Sequence, residues 1–226
     1  VSDPMAKGGL RLFLTLVHYP VYDRKDRVVA TAITNLDIHD LARAGRTFGA
    51  EALLVVNPLQ RQQWLLRRIV EHWRSGHGAD AHPNRREALS RVHPVGTLEE
   101  ARHWVRDRCG VHPLVLATTA RSFPEAMGYG AMRSLLVRHE GPVMILFGTG
   151  WGLTREVIQG ADYILRPILE GAEYNHLSVR SAAAIILDRL FGDRLEREVS
   201  ADVPLPVALE GAQGLSGAPG TGSTSA

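Results

Sequence analysis

The chain has 226 residues, 45% of them hydrophobic, and a formal net charge of +2. That length can bury the core of one domain with an extension, and so small a net charge gives only weak support for a nucleic-acid partner. No apolar run approaches the roughly 20 residues of a membrane-spanning helix, while the lone cysteine, Cys109, excludes an intrachain disulfide and suits a cytoplasmic protein.

Residues 1–9 lack the hydrophobic stretch of a secretory signal and read as an N-terminal extension. Leu10–His18 and Arg27–Thr34 read as strands, with a polar loop over Tyr19–Asp26. Asp37–Phe48 has helical periodicity, with Asn35 or Asp37 as its N-cap, and Glu51–Asn57 returns to a strand. Pro58–Ser75 is a long amphipathic helix with proline in its first turn. Gly76–Arg86 reads as a loop and Arg91–Val95 as a short strand. Thr97, with Glu100 three residues on, marks the start of the next helix. Pro113–Ala117 is a strand, a helix covers Ala131–His139, and Val143–Phe147 is a strand again. Alternation of this kind predicts an α/β fold with a mainly parallel sheet flanked by helices, here over residues 10–193. From about Glu196 the apolar periodicity stops, and with the Gly, Ser, Thr, Ala and Pro of Gly211–Ala226, residues 194–226 read as a disordered tail.

Two late segments, Ile145–Leu153 and Ile164–Leu190, each read as an apolar strand, a loop of exposed backbone, then a helix. Such loops offer unhindered N–H and C=O groups to a flat polar ligand. Gly148-Thr149-Gly150-Trp151-Gly152 has the spacing of a nucleotide-binding turn. A Rossmann domain would place this turn after its first strand and an acidic residue at the end of its second, about 20 residues later. Asp162 instead opens the next apolar run, and too little chain follows for a doubly wound sheet. The ten histidines, His72, His77 and His82 among them, show no ligand spacing, so no metal is expected.

In order and spacing, ITNLDIHDLARAGRTFGAEALLVVNP (Ile33–Pro58), VLATTA (Val115–Ala120), FGTGWGL (Phe147–Leu153) and YNHLSVRSAAAI (Tyr174–Ile185) resemble the SPOUT superfamily of S-adenosylmethionine-dependent RNA methyltransferases. The likeness is to a small stand-alone bacterial subgroup and runs from about Leu10 to Gly192. The resemblance implies a C-terminal trefoil knot, an exception to the usual avoidance of knots, and a homodimer. It also implies S-adenosyl-L-methionine held mainly by backbone groups of three loops. Carried over by position, the donor site comprises Thr118 and Thr119, then Phe147, Gly148, Thr149, Gly150 and Gly152. The third loop adds Ile164, Leu165, Pro167, Asn175, Leu177 and Ser178. Two departures stand out: the second loop has Gly150 or Trp151 where many ribose-methylating relatives have Glu, and His176 falls where they have Asn.

Arg43 coincides with the arginine of the first SPOUT motif, which points to ribose 2′-O-methylation of a structured RNA, tRNA or rRNA. Guanine N1 methylation and a cofactor-binding RNA module without catalysis are the alternatives. Arginine stays protonated, so its role is to bind phosphate and stabilise oxygen charge, leaving His39 or Asp37 to take the proton. The loop containing Arg24, Lys25 and Arg27 mixes aromatics with cations in a pattern suited to RNA, and Arg46 extends the outward face of the Arg43 helix. Tyr174 and Trp151 fit stacking on a base or on adenine, and equally a structural role.

Overall fold

The structure, a computed structural model, describes residues 9–75 and 81–192. Six apolar runs make the central sheet: β1 (Leu10–Val17), β4 (Ala52–Val56), β5 (Val92–Val95), β6 (Leu114–Thr118), β7 (Gly141–Gly148) and β8 (Tyr163–Leu165). Their order is β5-β4-β1-β7-β6-β8, and every neighbouring pair is parallel. The longest ladder joins β1 to β7, from Leu10 opposite Gly141 to Val17 opposite Gly148. Parallel sheets need cover on both faces, and successive side chains of a strand point to opposite sides. Leu12, Leu14 and Leu16 accordingly pack with one group of helices, while Phe13 and Val17 pack with the other.

On the first face lie α1 (Asn35–Thr47), α2 (Gln60–Arg74), α3 (Pro83–Leu89), α5 (Tyr129–Arg138) and α7 (Val179–Phe191). The second face is covered by α4 (Leu98–Cys109) and α6 (Arg155–Gln159). The expected capping box is present on α4: Thr97 accepts from the Glu100 N–H at 3.0 Å, and the Glu100 carboxylate accepts from the Gly96 N–H at 2.7 Å. On α1 the cap is Thr34 rather than Asn35 or Asp37, its hydroxyl accepting from the Asp37 N–H at 3.2 Å. Ile38, Leu41 and Gly45 are buried on the inner face of α1, with Phe48 half-buried against the same core. Among the described residues no helix is long and apolar enough to cross a membrane.

Two expectations need correction. Of Arg27–Thr34 only Val28–Val29 is strand (β3), and it pairs antiparallel with β2 (Val21–Tyr22), outside the main sheet. Asp23 causes the reversal by accepting from the N–H groups of Lys25 and Arg27. Beyond β3, the Thr31 N–H donates to the His18 carbonyl at 2.9 Å, pulling the chain across the end of β1. The expected loop Gly76–Arg86 becomes helical at Pro83, where proline at the start of a helix costs no hydrogen bond and Ala88 and Leu89 gain burial. Residues 76–80 of that stretch, residues 1–8 of the extension and the whole 194–226 tail lie outside the described residues.

Candidate functional site

A parallel sheet brings all its carboxyl ends to one edge, where ligands of α/β folds gather. Along that edge Val17, Gly148, Thr118 and Leu165 end four adjacent strands, β1, β7, β6 and β8. The loops after β7, β6 and β8 are thus neighbours, although they lie far apart in sequence. Each has a defined shape. The Thr118 hydroxyl is buried and donates to the Leu146 carbonyl at 2.8 Å, and Thr119 accepts from the Arg121 N–H at 2.9 Å. Asn175 crosses to the first loop, donating to the Ala120 carbonyl at 3.1 Å. Ser178 caps α7, accepting from the Ser181 N–H at 3.3 Å. Phe147, Ile164, Leu165 and Pro167 have buried side chains, so they can address a ligand only through the backbone. Leu177 is exposed.

The glycine turn packs against the β2–β3 hairpin. A Cβ at Gly148 would lie 2.6 Å from the Leu153 nitrogen; one at Gly150 (φ +59°) would lie 2.9 Å from the Tyr22 carbonyl oxygen. Tyr22 accepts from the Trp151 N–H and donates its own N–H to Gly152, both at 2.9 Å. Arg121 of the first loop also reaches the hairpin, pairing with Asp26 at 2.9 Å and lying over the Tyr22 ring. The hairpin therefore holds Arg24, Lys25 and Arg27 beside the first two loops, with Arg27 already engaged by Asp23.

Beneath the turn runs a polar chain that no sequence pattern announces. Thr149 places its hydroxyl 3.0 Å from the Val17 carbonyl and 2.6 Å from the Thr31 hydroxyl, in hydrogen-bond contact with both. The Thr31 hydroxyl is in turn hydrogen-bonded to His18 Nδ1 at 2.8 Å. His18 itself is fully buried. Burial pushes its pKa down to about 4, against a smaller opposing pull from Asp37.

Helix α1 starts at the same edge, and a rise of about 1.5 Å per residue carries it away from there. Asp37, in the first turn, accepts from the Thr34 hydroxyl at 2.6 Å. Arg180, in the first turn of α7, lies 4.0 Å from Asp37 and 3.7 Å from Asp40. Sequence reasoning misses Arg180: 143 positions separate it from Asp37, and no local pattern links them. Arg43 is about two turns further along α1, exposed and without an ion pair among the described residues. His39 turns instead toward the seam with α2 and α3, edge-on to Trp73 at 5.2 Å. Its pKa is lowered by burial and then by Arg85. Arg46 is bound to Glu87 and lies about 13 Å along the axis from Asp37. The structure thus brings Asp37 together with Arg180 at the start of α7, and leaves His39 and Arg46 against α2 and α3. Two surface hollows, of about 320 Å³ between Phe123 and Ile158 and about 460 Å³ beside α3, include neither the glycine turn nor Asp37. Among the described residues no group of three or more His, Cys, Asp or Glu could hold a metal.

A family model described as SAM-dependent RNA methyltransferase matches residues 11–192, from β1 to the end of α7. A tRNA (guanine-N(1)-)-methyltransferase of Oleidesulfovibrio alaskensis is 45% identical over 189 residues, which make up 84% of this chain and 44% of that enzyme. The chain thus spans less than half the length of that relative. An uncharacterized protein of Aquifex aeolicus is 36% identical over 180 residues, 80% of this chain and 88% of that protein. Among solved structures, the SpoU methyltransferase AviRb from Streptomyces viridochromogenes, in complex with the cofactor AdoMet, superposes with a TM-score of 0.51. The identity is 16%, with 81% of this chain and 58% of that one covered, a likeness of fold alone. With the family match spanning the sheet and all three strand-end loops, the chain belongs to the SAM-dependent RNA methyltransferases.

Proposed function

We propose that the chain transfers the methyl group of S-adenosylmethionine to a structured tRNA, with N1 of a guanine as the acceptor. The observation that carries this acceptor is the 45% identity to a tRNA (guanine-N(1)-)-methyltransferase. It takes precedence over the ribose hydroxyl expected from Arg43. The three strand-end loops fit the donor: they lie side by side at one sheet edge, and glycine at 148 and 150 lets the second loop pack closely on Leu153 and Tyr22. Thr118, Thr119 and Thr149 shape the inner rim, Gly152, Asn175, Leu177 and Ser178 the outer one. Phe147, Ile164, Leu165 and Pro167 contribute main chain only.

When bound, the sulfonium supplies an already activated methyl group. What remains for the protein is to align the acceptor, exclude water and remove a proton. Asp37 is the proton acceptor in this reading, oriented by the Thr34 hydroxyl and by Arg180. Arg43 binds a phosphate of the RNA, and Arg24, Lys25 and Arg27 on the hairpin extend that contact. His39 and Arg46 support α1 rather than touch the substrate.

The ribose 2′-hydroxyl is the second reading. It is favoured by Arg43, which is exposed and without an ion pair among the described residues, and by more than half of the guanine-N1 relative lying outside the match. In either case residues 10–193 act as one domain, threaded into a knot near its end and working in the cytoplasm as a homodimer. The Asn175–Ala120 contact and the Arg189 guanidinium donating to the Ile168 carbonyl at 2.6 Å support a third loop strapped over the first. Labelled donor, total tRNA and digestion to nucleosides provide the test. Label in 1-methylguanosine is expected, and label in a 2′-O-methylnucleoside would install the second reading. Donor binding without any incorporation into tRNA or rRNA would leave only a binding module.

A further inference from the structure

Three rings at the mouth of these loops have no evident part in folding. Tyr174 is 77% exposed and Trp151 48% exposed, although burying such side chains is among the largest gains available to a fold. They come from different loops, yet both meet His176. The Trp151 and His176 centroids lie 5.6 Å apart at 65°, those of Tyr174 and His176 5.3 Å apart at 73°. Trp64 is exposed too, but no ring contact joins it to another aromatic among the described residues.

Exposure here does not mean a loose backbone. The Trp151 N–H is bound to Tyr22, and Gly150 and Gly152 on either side hold left-handed conformations at φ +59° and +97°. Asn175, between Tyr174 and His176, is tied to Ala120. Edge-to-face contact on one small ring uses little of either large aromatic. What remains is flat, fixed π surface on the outer rim, while the residues at the base of the loops are buried. Flat aromatic surface held in water beside a reaction site fits another flat ring, and unpaired bases of RNA are read in this way.

We infer that Trp151 and Tyr174, joined through His176, form a stacking platform for an unpaired nucleobase of the RNA, at or beside the nucleotide that receives the methyl group. This rests on the reading of the site under Proposed function. The full chain is compared with Trp151→Ala, Tyr174→Ala and Trp151→Phe. Binding of fluorescein-labelled total tRNA is measured by anisotropy and binding of S-adenosylmethionine by calorimetry. Each alanine weakens tRNA binding about tenfold, the size of one base–aromatic contact. Donor affinity stays within about twofold, and Phe at 151 restores most of the loss. Unchanged tRNA affinity in both alanine variants overturns the platform. Donor affinity that falls while tRNA affinity holds also overturns it, assigning the rings to the donor's adenine. So does a drop in sedimentation mass confined to the alanine variants, which would assign the rings to a second copy of the chain. Because tRNA binding is read directly, a wild-type chain that binds tRNA without methylating it defeats the earlier reading and not this one.

Discussion

His18 shows how much of a site can depend on one proton. Fully buried, its ring is hydrogen-bonded through Nδ1 to Thr31, which is bonded to Thr149 at the base of the glycine turn. With a folded pKa of about 4 against roughly 6.5 in the unfolded chain, protonation favours unfolding. The stabilisation from this group is therefore complete above pH 6.5 and is lost as pH falls toward 4. Its size is about 3 kcal/mol, since each tenfold difference in proton affinity between the folded and unfolded chain is worth roughly 1.4 kcal/mol. Urea midpoints from pH 7 to 4 are expected to fall more steeply for the wild type than for His18→Gln, which cannot take up the proton. Parallel curves would mean that other groups, such as His39 and His93, control the acid response. In the sequence His18 is one of ten scattered histidines. Its partners lie 13 and 131 positions away, at a strand crossing that periodicity does not encode.

At the scale of elements, the sequence is clearest where burial is continuous and least clear where a short run joins no sheet. Leu12–Val17 (Thr15 apart) and Val143–Phe147 are apolar on both sides, as suits central parallel strands, and both lie in the sheet. Arg27–Thr34 has a similar β-rich composition, but Asp23 turns it back on Val21 and Tyr22 before it can extend. A long-range bond from Thr31 then fixes its place. The three loops are legible because glycine, threonine and proline announce strand ends. Their closure against the hairpin is not, since it depends on Tyr22 and Arg121. Gly150 tests that closure. A leucine there meets the Tyr22 carbonyl oxygen at 2.9 Å and the Thr31 methyl at 3.3 Å, at a φ that costs a branched side chain further strain. Gly150→Leu should fold, with a lower melting temperature, and lose more than tenfold in donor affinity by calorimetry. Undiminished affinity would remove the turn from the donor site.

For the whole molecule, the decisive event is the docking of α7, the last described helix, against α1, the first. Nothing between Asp37 and Arg180 in the sequence indicates that they meet. The layer that packs on Leu12, Leu14 and Leu16 brings them to the edge where four strands end. This packing separates the residues of α1 by position. Asp37 lies beside Arg180; Arg43 lies about two turns down and is exposed; Arg46 is spent on Glu87. Losing Asp37 should therefore affect the reaction and not the donor. Removing a positioned proton acceptor typically costs 10²–10⁴-fold in rate. Asp37→Asn keeps the shape and can still accept from Thr34, so about a hundredfold or greater fall in kcat is expected with donor affinity within twofold. Arg43→Ala should likewise spare donor affinity and cut turnover severely, but with a rise in KM for tRNA that flattens at high salt if the lost contact is a phosphate. Single-turnover rates at saturating tRNA, set beside calorimetric donor affinities, separate the two roles. Should Asp37→Asn weaken the donor as much as it slows the transfer, the carboxylate belongs to the binding loops and another group takes the proton.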